Sequence, residues 1–112
     1  MGPKIANASM NSQGHRLAHS KNWVAADFFL NHSDGWRRTP VAITRKSDWS
    51  TRWYDPPKGS IVLALTITDA NLYAVLTPAN GRNYGEVTEV LRFDLSRIDE
   101  FTSASYPYAD QE

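Results

Sequence analysis

His15 and His19 stand four residues apart, and on a helix both imidazoles would face one way, as metal ligands do. His32 or Asp34 could supply a third ligand. A small His-dependent hydrolase or nuclease built on His15, His19 and His32 is one reading of these residues. Solvated histidines near a chain end are the plainer one. No Glu follows His15 as in the zincin motif, so no metal site and no catalytic residue is assigned. His32, Ser33 and Asp34 have the residue types of a hydrolytic triad. Adjacent residues do not converge on one reacting atom, however, and Asn-His-Ser-Asp-Gly is ordinary turn composition.

The most unusual composition lies just beyond. Trp36, Arg37 and Arg38 are followed by Trp49, Arg52, Trp53 and Tyr54, so three of the four tryptophans are interleaved with arginine. Trp and Tyr offer large contact area at low entropy cost, and Arg stacks on aromatic faces. Such mixtures mark binding hot spots. They also suit stacking on single-stranded bases with Arg on phosphate. The competing reading is structural: Trp49 and Trp53 plug the open end of a small sheet. These seven residues are the candidate binding surface.

Other signals exclude more than they assign. There is no cysteine among the 112 residues, so disulfides, thiolate nucleophiles and Cys-based zinc sites are ruled out, in keeping with a cytoplasmic chain. The longest apolar run, 61–65, is far short of the ~20 residues of a membrane span. No glycine-rich phosphate loop precedes a helix, and no cofactor is implied. Glu86, Glu89, Asp94, Asp99 and Glu100 read as a solvated acidic face, with no pair spaced for general acid and base work. Net charge is zero but divided. Residues 36–58 hold six basic residues against two acids, and 59–112 hold three against eight. This dipolar pattern can steer a partner of either sign, and it lacks the strongly basic signature of a nucleic-acid binder.

The elements that must position these residues fit one domain. Residues 1–19 read as a flexible arm, 20–101 as the folded body and 102–112 as a flexible tail. Ser20 is a candidate N-cap, and Trp23, Ala26 and Leu30 share one helical face, which predicts a helix over 21–31. A strand is the alternative, given the aromatics. Residues 39–45 predict a short strand with Val41 and Ile43 on one face, and 46–59 a long loop ending in two prolines. In 60–68, Ile61, Leu63, Leu65 and Ile67 alternate with Val62, Ala64, Thr66 and Thr68. With 72–76 and 86–95 this predicts a three-stranded antiparallel meander. Leu95, Ile98 and Phe101 then suit one helical turn. The expected fold is α+β: a twisted antiparallel meander, or a partly open small barrel, packed on one N-terminal helix. Trp23, Phe29, Leu30, Ile61, Leu63, Leu65, Leu91 and Phe93 are the expected core.

The runs Ile61-Val62-Leu63-Ala64-Leu65-Thr66, Asp69 to Val75 and Val90 to Phe101 resemble the bacterial pleckstrin-homology-like domains, where a strand ending in Thr-Asp precedes a Leu-Tyr-Ala-Val strand and a later strand enters a Leu-Ser-x-Ile turn. The resemblance spans about forty residues. It implies a binding or oligomerisation module without a catalytic set. The family's C-terminal amphipathic helix has no counterpart in this polar tail.

The function expected from sequence is therefore a non-enzymatic module that binds a protein partner through the Trp/Arg surface. A phage- or plasmid-type inhibitor that blocks a host nucleic-acid-processing or defence complex is the first alternative. Nucleic acid is a secondary partner class, no membrane role is expected, and an exposed strand edge would allow a homo-oligomer.

Overall fold

The computed structural model describes residues 11–31 and 35–109. Its elements in chain order are β1 (Asn11–His19), β2 (Trp23–Asn31), β3 (Arg37–Arg38), β4 (Val41–Arg45), β5 (Thr51–Tyr54), β6 (Ser60–Ile67), β7 (Asn71–Pro78) and β8 (Glu89–Asp94), then a 3-10 helix over Leu95–Glu100. They form two antiparallel sheets. One has the order β1-β2-β4-β5 with β3 also on β2, and the other is β6-β7-β8.

The helix expected at 21–31 is absent, and the α+β assignment is corrected to a mostly β fold, with no closed barrel among the described residues. The segment forms β2, and the cause is visible in its burial. Trp23, Ala25 and Asp27 are buried while Val24 and Ala26 are half-buried, a period of two. A buried Asp in the inward row hid that period from a purely apolar reading. Asp27 is completely buried, and its carboxylate accepts from the backbone N–H of Arg16. That N–H sits where the β1–β2 register slips between Gly14 and Arg16. The bulge thus presents a ladder donor to a side chain, and the buried carboxylate is hydrogen-bonded as it must be.

A second bulge corrects the face assignment in β6. The register slips between Val62 and Ala64, so Ile61 and Val62 are both fully buried while Leu63 and Leu65 are only partly so. Val62 donates its N–H to the buried Thr39 hydroxyl at 2.7 Å, tying this bulge to the start of β4. Residues 46–59, expected as one loop, contain β5, whose pairing with β4 runs from Val41↔Tyr54 to Thr44↔Thr51.

The core lies between the sheets and comprises Trp23, Ala25, Val41, Ile43, Val62, Ile67, Leu72, Leu76, Leu95 and Ile98. Of the expected core, Trp23, Leu30 and Ile61 are buried. Phe29, Leu63, Leu65, Leu91 and Phe93 are half-buried. Further polar clasps join the sheets. Arg16 Nε donates to the Leu63 carbonyl at 2.7 Å. At the turns, Asp69 accepts from the Ser20 hydroxyl at 2.5 Å, the Asn22 N–H at 2.9 Å and the Asn22 amide at 3.1 Å.

Candidate functional site

The seven Trp/Arg/Tyr residues do not form one surface. Strand β5 turns Trp53 inward, leaving it 6% exposed. Its ring meets Tyr106 edge-on at 4.9 Å and Phe28 at 6.2 Å. Its backbone pairs with Ser103 through hydrogen bonds of 2.7 and 2.8 Å. Tyr54 is half-buried against Phe93, centroid to centroid 4.7 Å. Arg52 donates to the hydroxyl and carbonyl of Thr102, both at 3.2 Å, and pairs with Asp99. Residues 102–109, expected as tail, therefore supply Thr102, Ser103, Tyr106 and Tyr108 as partners of this region.

Arg38 is drawn inward as well. Its Nη2 donates to Asp55 and to the Pro56 carbonyl, each at 2.9 Å, and its guanidinium lies 5.6 Å from the Tyr108 ring centre. The Arg38 Nε is buried with no hydrogen-bond partner among the described residues. The Tyr108 hydroxyl sits 2.9 Å from both Asp55 oxygens. Burial raises the Asp55 carboxyl above its ordinary range, outweighing the opposing pull of Tyr108 and Arg38. Burial also pushes the Tyr108 hydroxyl up, reinforced by the facing carboxylate. The cluster is a closed clasp.

Trp49 stands apart. It is 45% exposed and holds φ 59°, a left-handed conformation that bulky residues rarely adopt. It follows the turn after β4, where its N–H donates to the Arg45 carbonyl at 2.7 Å.

Trp36 and Arg37 are placed differently from all of these. Trp36 precedes β3 after Gly35, whose φ of +90° needs a residue without Cβ. Its ring stacks on Tyr108 at 5.5 Å and 22°. It also lines an open cleft of about 290 Å³ together with Arg37, Lys58, Gly59, Ala79 and Asn80. Three separate segments meet here because the β6–β7 ladder ends at Ser60↔Pro78 and Ala79 donates to the Gly59 carbonyl at 2.8 Å. Arg37 Nη1 then reaches across to the Ala79 carbonyl at 3.2 Å. No protein-family model matches the chain, and no curated protein or solved structure matches it either.

Lys58 and Asn80 were missed from sequence because no local spacing links 36–37 to 58–59 and 79–80. Tyr106 and Tyr108 had one signal, two aromatics around a proline in an otherwise polar tail. The histidine reading lacks its geometric basis. His15 and His19 lie on a strand, where four residues span about 13 Å. His32, Ser33 and Asp34 fall outside the described residues. Among the described residues no three His, Cys, Asp or Glu side chains gather as a metal cluster, and no helix is long and apolar enough to cross a membrane.

Proposed function

We propose that this chain is a non-enzymatic, cytoplasmic module that binds a protein partner through the face around Trp36 and Arg37. The observation that carries this reading is the cleft itself: an aromatic wall and two cations, Arg37 and Lys58, with no acid in its lining among the described residues. Trp36 is backed by the Tyr108 ring, so its contact area is held rigid before a partner arrives. Asp55 and Tyr108, both with raised proton affinity, are consumed in their clasp with Arg38 and do not line the cleft. A nucleic-acid partner is less well supported, since a polymer backbone calls for a track of phosphate-neutralising residues and the cleft supplies two.

Selection of a random peptide display library on the folded chain tests the reading. Sequences should be enriched on the native protein and lost on Arg37→Glu/Lys58→Glu. Enrichment that survives the double substitution places the contact face elsewhere. Failure to enrich any sequence, with tight salt-sensitive retention of single-stranded oligonucleotide instead, overturns the protein-partner reading.

A further inference from the structure

We propose that the cleft at Arg37 and Lys58 takes a phosphoserine or phosphothreonine side chain of a partner protein; this rests on the binding reading above and names its ligand class. Most cations of the basic stretch 36–58 already have a partner. Arg38, Arg45 and Arg52 pair with Asp55, Asp48 and Asp99 respectively. Lys46 donates to the Ser20 carbonyl at 2.7 Å. Arg37 and Lys58 make no ion pair among the described residues. Both line the open cleft of about 290 Å³, whose lining holds no acid among the described residues. Two like charges in one cleft repel until an anion joins them.

The donors specify which anion. Arg37 Nη1 donates to the Ala79 carbonyl at 3.2 Å, which anchors the guanidinium. Its Nε and Nη2 edge makes no hydrogen bond among the described residues. Two parallel N–H groups on such an edge fit two oxygens of a phosphate. Asn80 is anchored in a similar way. Its Oδ1 accepts from the Asn83 N–H at 2.9 Å, so the amide NH2 is the end left to donate. Lys58 is exposed and adds a point charge with rotatable donors. Gly35 and Gly59 complete the lining, and a Cβ on either would meet nothing within 4 Å, which leaves room for the incoming chain. A phosphoserine carries about −1.5 to −2 charges at neutral pH and three acceptor oxygens, so one group answers both cations and the amide. A carboxylate brings one charge and two oxygens, so an unphosphorylated acidic peptide reaches the same cations more weakly. Two cations suit one phosphomonoester and fall short of the track that a nucleic-acid backbone needs.

Fluorescence anisotropy with three labelled peptides of equal length tests the proposal on the full chain. Flanked by Gly and Ala, the central residue is phosphoserine in the first, Ser in the second and Glu in the third. The phosphopeptide should bind about tenfold tighter than either control. Lys58→Glu should weaken it about tenfold. Arg37→Lys keeps the charge and deletes the paired N–H edge, and should weaken it about fivefold. A circular dichroism melt confirms that both variants fold. Equal binding of the phosphoserine and Glu peptides overturns the ligand class. Absence of phosphopeptide binding while display-selected peptides still need Arg37 and Lys58 overturns the ligand class and leaves the module reading standing. Phosphopeptide binding that ignores both substitutions overturns the site. Tighter retention of a single-stranded oligonucleotide, lost in both variants, assigns the cations to nucleic acid and overturns the proposal.

Discussion

Trp53 and Trp36 come from the same Trp/Arg-rich stretch and both touch the C-terminal segment, yet one is core and the other is a wall. Trp53 belongs to a strand, so the alternation of β5 turns its ring inward onto Tyr106 and Phe28. Trp36 precedes a two-residue strand, and its ring stays half-buried, stacked on Tyr108 at the mouth of the cleft. Arg38 and Arg37 differ in the same way. Side chains alternate along β3, so the first is carried into the Asp55 clasp and the second to the cleft. Composition marks a region as aromatic and basic, whereas strand parity decides which members a partner can reach.

The largest effect should come from Trp53→Ala. It removes a buried aromatic and the platform under Tyr106, at a cost of about 3–5 kcal/mol in urea denaturation. A loss below 1 kcal/mol would erase the distinction between the two tryptophans. Tyr108→Phe keeps the ring against Trp36 and deletes its hydroxyl from Asp55, so stability should fall by about 1–2 kcal/mol while the cleft survives.

The two carboxylates Asp69 and Asp55 should respond oppositely to pH. The Ser20 hydroxyl and then the Asn22 N–H hold the Asp69 carboxyl below its ordinary value. Its contribution is therefore present above about pH 4 and lost as pH falls through the folded value. Burial holds Asp55 above its ordinary value, so the folded chain keeps that proton more readily than the unfolded one. Its contribution is present at lower pH and lost as pH rises through the folded value. Melting temperatures between pH 2 and 7 should show a shallower acid loss for Asp69→Asn. For Asp55→Asn the decline with rising pH near the folded value should be shallower. Matching slopes in both variants would contradict the opposed shifts.

Smaller still, Trp49→Gly relieves the positive φ and should raise stability by about 0.5 kcal/mol, the relief being offset in part by glycine's unfolded-state entropy. Arg37→Ala/Lys58→Ala should change stability by less than about 0.5 kcal/mol. A larger loss from this double substitution would mean that these cations hold the fold together.

The sequence showed the strands of β6, β7 and β8 through apolar alternation and short turns, and the 3-10 turn through Leu95 and Ile98. It misplaced β2 because Asp27 occupies an inward position, and its partner is a bulge N–H on another strand. It misassigned Val62 because a bulge shifts parity without leaving an apolar signature. It identified the Trp/Arg stretch as unusual but treated it as one surface. The division depends on β5, which lies within an apparent loop, and on Tyr106 and Tyr108, about fifty residues away. Cleft residues Lys58 and Asn80 join Trp36 only through the end of the β6–β7 ladder, a long-range pairing with no local pattern.

The most direct measurement is an amide and indole chemical-shift titration of the labelled chain with the tightest display-selected peptide. Shifts at Gly35, the Trp36 indole, Arg37, Gly59 and Asn80, with the Trp53 indole and Trp49 unmoved, are what the account predicts. Shifts centred on Trp49 or along β8, with Trp36 silent, would contradict it.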